Sequence, residues 1–171
     1  MTEQDAVRLR VGLRTEDGEA ATEWLWASPV ETHDAEGTFV LRNHAFHTRL
    51  AAGDLVRARR DSNGAMHVVD VERPAPAIMT LVGRVWDTGL RIDAVLERWA
   101  AQGARFTEGR AGALATLWGE GMSPEAVLEV MQPELDAGTL ELLAIVPPEL
   151  RTREALGGEI DFDGIRGPYD D

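Results

Sequence analysis

His44 and His47 stand three residues apart beside Asn43 and upstream of Asp54, so one loop carries two imidazoles, a carboxamide and a carboxylate. Imidazole and carboxylate are the side chains that ligate divalent metals and carry protons near neutral pH, and together they suggest a metal or acid-base site. The spacing suits a helix or a tight turn and not a strand, where residues i and i+3 face opposite ways. A structural explanation is the expected one. Loop histidines are commonly held by hydrogen bonds, and an Asp that follows a Gly where a turn enters a strand commonly accepts from backbone donors. The four histidines are dispersed and no thiolate exists, so neither a metal nor a cofactor is expected.

Most other chemistry is excluded by composition. The chain has no cysteine and no lysine, its 17 basic residues all being arginine, which removes thiolate nucleophiles, disulfides, Schiff-base lysines and a P-loop lysine together. Of the serines, Ser28 precedes Pro29, Ser62 lies in a turn signal and Ser123 reads as a helix cap, so no Ser-His-Asp set forms. His33 sits in a polar loop with Glu31 and Asp34, and His67 in a strand. Gly119-Glu120-Gly121-Met122-Ser123 joins a strand to a helix start where backbone N–H groups can hold an anion, but Glu120 inside the loop opposes it. An enzymatic role is therefore not the expectation.

Five tryptophans are many for 171 residues, and most are expected in the core or between halves of the molecule. Trp24 paired with Trp86 is the alternative: the two can floor a binding cleft. The net charge of −13 is spread along the chain without a basic stripe, which argues against nucleic acid because binding there depends on neutralising phosphates. No apolar run approaches the roughly 20 residues of a membrane span, and Met1-Thr2-Glu3-Gln4-Asp5 is unlike the basic opening of a signal peptide. A cytoplasmic protein that does not engage membranes is expected.

The elements that must position these residues are legible from periodicity. Val7, Leu9, Val11 and Leu13 alternate with Arg8, Arg10, Gly12 and Arg14, the period of a strand with one wet face. Thr22 to Ser28, Thr38 to Arg42, Leu55 to Arg60 and Met66 to Glu72 follow as strands, with Asn63-Gly64 predicting a type I′ hairpin turn between the last two. Short strands without helical period suggest a small barrel over residues 1–73. Arg73-Pro74-Ala75-Pro76 ends it.

Ile78 to Val85 reads as a strand, and Asp87-Thr88 leads into a helix with Ile92, Val95, Leu96 and Trp99 at i, i+3, i+4, i+7. Strands at Ala104 to Thr107 and Ala113 to Trp118 follow, then a helix begun by Ser123-Pro124-Glu125 and kinked or split by Pro133, then the strand Leu140 to Val146. Residues 77–148 thus predict β-α-β-β-α-β, the ferredoxin-like pattern. Residues 149–171 predict an acidic tail in which Ile160, Phe162 and Ile165 alternate with acids, suited to docking in cis, pairing with a neighbour's sheet edge or binding a partner. Asp161 and Asp163 lack the other ligands of a calcium loop.

A strand with tryptophan, the step Asn43-His44-Ala45-Phe46, Gly53-Asp54-Leu55-Val56 and a β-α-β-β-α-β half together resemble the bacterial family called domain of unknown function 4265, over residues 7 to 147. The resemblance implies an architecture rather than an activity. The expectation is an α+β protein in which a small antiparallel β-barrel-like half packs on a ferredoxin-like half. Its expected role is non-enzymatic recognition of another protein by an acidic surface, in regulation or immunity. The alternative is a small-molecule binder or accessory enzyme using a cleft between the halves, with Asn43, His44, His47, Asp54, Trp24 and Trp86 near it.

Overall fold

The computed structural model describes residues 6–14 and 20–157. The chain divides into two compact units, the first built from residues up to Ala75 and the return segment that starts at Pro148, the second from Pro76–Pro147. The fold is mixed α+β.

In the first unit β1 (Val7–Arg14), β2 (Ala20–Thr32), β3 (Glu36–Leu41), β4 (Leu55–Arg60) and β5 (Met66–Arg73) form a closed barrel in chain order. Neighbours run antiparallel except at the closing seam, where β1 meets β5 in parallel at Arg10 opposite His67. Alternation decides which side chains face in. Leu9, Val11, Leu25, Ala27, Phe39, Leu41, Val56 and Ala58 fill the core, while Arg8, Arg10, Trp24 and Trp26 occupy the opposite phase. β2 extends beyond Ser28 because a register shift between Pro29 and Glu31 lets the ladder accommodate a residue without an N–H.

The β4–β5 turn is not type I′. Asp61 Oδ1 accepts from the amides of Asn63 (2.8 Å) and Ala65 (2.9 Å), and only Gly64, at φ +84, enters the left-handed region. The aspartate thereby holds Asn63 out of that region and converts the expected two-residue turn into a longer one closed by glycine.

The return segment contributes two 3₁₀ turns, Pro148–Leu150 and Arg153–Gly157. The second lies against β1 and β5, and Leu156 packs on the barrel core. Residues 149–157 thus belong to the barrel unit, and the rest of the acidic tail, 158–171, lies outside the described residues.

In the second unit the order is β6 (Met79–Arg84), α1 (Ile92–Ala101), β7 (Ala104–Arg110), β8 (Ala113–Trp118), α2 (Pro124–Asp136) and β9 (Leu140–Val146). The strands form one antiparallel sheet ordered β7-β8-β6-β9. Val95 and Trp99 of α1 join Val127, Val130 and Met131 of α2 in a core with Ile78, Val82, Trp118 and Leu140, while Leu96 is partly buried beside it. Trp118 donates from Nε1 to Thr80 Oγ1 at 2.9 Å, and its ring lies 5.6 Å from that of Trp99. Arg98 fastens the helices to each other, donating from Nη1 to the Val130 carbonyl (2.8 Å) and from Nη2 to Glu134.

α2 starts as its sequence dictates: Ser123 Oγ accepts from the amide of Ala126, and Pro124 takes the first helical position. Pro133 does not split it. The helix continues to Asp136, because proline sits in its last turn, where few hydrogen bonds remain to lose, and Val130, Met131 and Glu134 around it are buried.

On the barrel's outer wall Arg57 pairs with Glu36 (3.0 Å), Asp70 (2.8 Å) and Glu72 (3.7 Å), and Asp61 holds His67 at 2.7 Å. Arg57 keeps the Glu36 and Asp70 carboxyls below their ordinary range, and the His67 bond does the same for Asp61. A carboxyl depressed by folding stabilises above its ordinary pKa, near 4, and loses that contribution as acid protonates it. Arg57→Gln should therefore lower the thermal midpoint at neutral pH, and the gap from the native chain should narrow as the pH falls below about 4. A gap unchanged in acid would show that the ion pairs contribute nothing.

Candidate functional site

The segment from Asn43 to Asp54 joins β3 to β4 and has no regular secondary structure, so each backbone polar group needs a partner of its own. Side chains supply many of them. Asn43 Oδ1 accepts the amide of Trp26 at 2.6 Å, tying the loop to β2. Glu23 reaches in from β2 and accepts two consecutive amides, Phe46 to Oε1 at 2.7 Å and His47 to Oε2 at 3.1 Å. His44 is fully buried, and its Nδ1 accepts the amide of Ala52 at 3.1 Å. That bond leaves Nδ1 without a proton, which assigns a neutral ring protonated at Nε2.

Asp54 is the centre of the arrangement. Oδ2 accepts the amide of Ala51 at 2.8 Å, while Oδ1 accepts the amide of Ala75 at 2.8 Å and Nε of Arg151 at 3.1 Å. The Arg151 guanidinium also donates to the Ala75 carbonyl. Asp54 and Arg151 are both fully buried, although 97 positions separate them. Burial pushes the Asp54 carboxyl above its ordinary range, against the pull of Arg151 and the two amides. Gly53 precedes it at φ +90, a conformation that favours glycine, and a Cβ there would press on Ala75 Cβ at 3.2 Å.

The structure thus brings Asn43, His44, His47 and Asp54 into one loop, where Asn43, His44 and Asp54 each hold backbone amides. The His44 Nδ1 lone pair that would take a metal or a proton is in use inside the core. Among the described residues no three His, Cys, Asp or Glu side chains are grouped to hold a metal ion. Trp24 and Trp86 fall in different units, each under an arginine of its own: Arg8 lies 4.6 Å from the Trp24 ring centre and Arg84 4.9 Å from that of Trp86.

Two residues central to this loop escape a reading of the sequence. Glu23 carries a faint signal, since it shares the inward phase of Leu25 and Ala27 and a charge in that phase must find donors. Arg151 carries none, because nothing in the order of residues says that the chain comes back to the barrel after β9.

A second feature arises only from strand register. Arg8 lies opposite Trp26 and Arg10 opposite Trp24 on the outer wall of β1 and β2. The Arg8 guanidinium stacks over Trp24 and lies 5.7 Å from Trp26, and Arg10 lies 5.1 Å from Trp24. The rings remain 40% and 50% exposed. Arg10 is drawn toward Asp61 at 3.7 Å, whereas Arg8 has no ion pair among the described residues. Arg42 donates its backbone amide to the Trp26 carbonyl, which places a further exposed guanidinium residue beside the strip. Tryptophan is expensive to leave in water and arginine on an aromatic face is worth only about 0.5–1 kcal/mol at an exposed site, so folding alone does not account for this strip.

Asp54→Asn places an amide where three donors converge and removes the carboxylate that accepts from Arg151 Nε. It should cost about 3–5 kcal/mol in denaturant unfolding, as should Arg151→Met, which strands the carboxylate instead. Combining the two should cost less than their sum by about 0.5–3 kcal/mol, since neither charge is then buried alone. Additive losses would mean that the two side chains act independently.

No family model and no curated protein matches this chain. A solved structure described as a novel crystal structure of a hypothetical protein from Neisseria gonorrhoeae is similar at a TM-score of 0.60 and 17% identity, over 82% of this chain and 94% of that one. The likeness is one of fold.

Proposed function

We propose that this is a non-enzymatic binding protein that recognises another protein through the outer wall of β1 and β2. The observation that carries the proposal is the pair Trp24 and Trp26, half exposed under Arg8 on a rigid barrel wall. Tryptophan and arginine are the residues that most often anchor protein interfaces, because they offer large contact area and a planar set of donors at little entropic cost. The candidate acid-base residues support a non-enzymatic role in a different way. The polar atoms of His44 and Asp54 hold backbone amides, and a fully buried His44 has no route to a substrate.

The second unit is proposed to be ferredoxin-like, supported by its β-α-β-β-α-β connection and by an all-antiparallel sheet in which the first and third strands are central. Membership of the family domain of unknown function 4265 is proposed on the same succession, with Asn43 and Gly53-Asp54 bracketing the loop between β3 and β4. Among the described residues no helix is long and apolar enough to cross a membrane. A cytoplasmic setting, and a regulatory or immunity-type role within it, are proposed; a chain without cysteine suits the reducing compartment.

An aromatic strip flanked by arginines is also a surface on which bases stack. Charge separates the alternatives: Asp61 sits beside Arg10, and a chain of net charge −13 repels phosphates at long range. Purified chain used as bait in extract of its own cells should retain a protein partner that Trp24→Ala/Trp26→Ala loses. Reconstitution from purified components should then show at least about 30-fold weaker binding for the variant, the cost of one anchor residue of roughly 2 kcal/mol. A partner that binds the variant equally well, or tight salt-sensitive binding of a single-stranded oligonucleotide, would overturn the proposal.

A further inference from the structure

Across the strip, arginines flank a tryptophan on both sides. Arg8 of β1 is opposite Trp26 of β2, and Arg42, whose amide donates to the Trp26 carbonyl at 2.8 Å, continues the row beyond it as an exposed residue. Alternation decides what borders the rings. Gly12, Thr22 and Ser28 share their outward phase and carry no charge, while Glu23, next to Trp24, faces inward and holds the amides of Phe46 and His47. The strip is thus an island of positive charge on a chain of net charge −13. Among the described residues neither Arg8 nor Arg42 has an ion pair, and Arg10 has only its long contact with Asp61 at 3.7 Å.

We infer that the strip is a carboxylate receptor for an acidic segment of the partner protein, one that lays an aromatic side chain on the indoles and sets an acid to either side of it. The chemistry follows from what stacking leaves open. Arg8 lies over the Trp24 ring at 4.6 Å, so the N–H donors at the edge of its guanidinium plane remain available and match a carboxylate two at a time. The ring holds the guanidinium in place before a partner arrives, which lessens the entropy lost on binding. Spacing sets the pattern. Arg8 and Arg42 start from strands on either side of β2, roughly 10 Å apart, the reach of about three extended residues. Acids on one side alone would leave the other guanidinium unpaired, and the acid excess elsewhere repels such a segment from other faces. Three guanidiniums are few for a phosphate backbone, whose hold grows with each charge neutralised. The inference rests on the proposed role of the strip and deepens it by naming the partner's chemistry.

The test uses the full chain and two end-blocked peptides, Asp-Asp-Phe-Asp-Asp and its twin Asn-Asn-Phe-Asn-Asn. Indole N–H signals, assigned by single Trp→Phe variants, are followed in proton–nitrogen correlation spectra. The acidic peptide should shift Trp24 and Trp26 and leave Trp99 and Trp118 in place, and the twin should bind at least about 10-fold more weakly. Arg8→Gln and Arg42→Gln should each weaken the acidic peptide about 5- to 10-fold, as loss of a charged donor does, with unmoved Trp99 and Trp118 signals showing that the variants are folded. Arg59→Gln removes the same charge from an exposed site paired with Glu36, and should leave peptide binding unchanged. Unmoved Trp24 and Trp26 signals at about 1 mM acidic peptide, equal binding of the twin, or a loss with Arg59→Gln as large as with Arg8→Gln would each overturn the inference. Shifts produced by a thymidine oligonucleotide or by phosphatidylserine vesicles, and not by the peptide, would overturn it in favour of phosphate. The two proposals fail separately. A partner protein that Trp24→Ala/Trp26→Ala loses, but that binds Arg8→Gln/Arg42→Gln like the native chain, ends the inference and keeps the strip's role; one that Trp24→Ala/Trp26→Ala binds equally ends the proposed function and leaves the peptide result as it stands.

Discussion

The buried pair between Asp54 and Arg151 is the constraint on which the first unit depends. It joins the loop after β3 to a segment that arrives only after the second unit has been completed, and the Ala75 amide and carbonyl at the barrel's end are drawn into the same cluster. Desolvating two charges costs several kcal/mol per ion, so a pair in this setting holds only when its remaining donors and acceptors are filled. Here the carboxylate accepts three donors and the guanidinium reaches both Asp54 and a carbonyl, which makes removal of one partner far more damaging than the pair is stabilising. Leu156, a few residues beyond Arg151, is thereby brought onto the barrel core, next to β1 and β5, whose parallel contact is the barrel's sparsest pairing.

The same need for partners accounts for what the loop's polar side chains bind. A long connection without helix or strand leaves amides unpaired, and a compact barrel gives them little water. Glu23, Asn43, His44 and Asp54 answer that need with acceptors matched one by one to N–H groups. The surface proposed for recognition is the outer wall, where strand register stacks arginines on tryptophans and leaves the rings half exposed.

Much of the architecture was legible before any coordinates. Alternation located all five barrel strands, helical period found the faces of α1 and α2, and Ser123-Pro124 marked a helix start to the residue. What stayed hidden depended on partners distant in sequence. β2 continues past Pro29 because a bulge in its pairing with β3 tolerates proline, and Asn63 does not enter the left-handed region because Asp61 takes its amide. Pro133 interrupts nothing because burial around it outweighs a lost bond near the helix end. At the candidate site the sequence showed which side chains gather at one loop, and it could not show that their lone pairs face inward to the backbone. Arg151 and the arginine–tryptophan strip were invisible for one reason, that neither leaves a local pattern.

Amide hydrogen exchange on the intact chain tests most directly whether this loop is structure rather than a reactive site. If Glu23, His44 and Asp54 hold the backbone as described, the amides of Phe46, His47, Ala51, Ala52 and Ala75 exchange slowly, with opening free energies close to that of the β1–β2 core. Exchange of these amides as fast as that of exposed turns such as Ser62 would contradict the account and leave His44 and Asp54 as groups free to do chemistry.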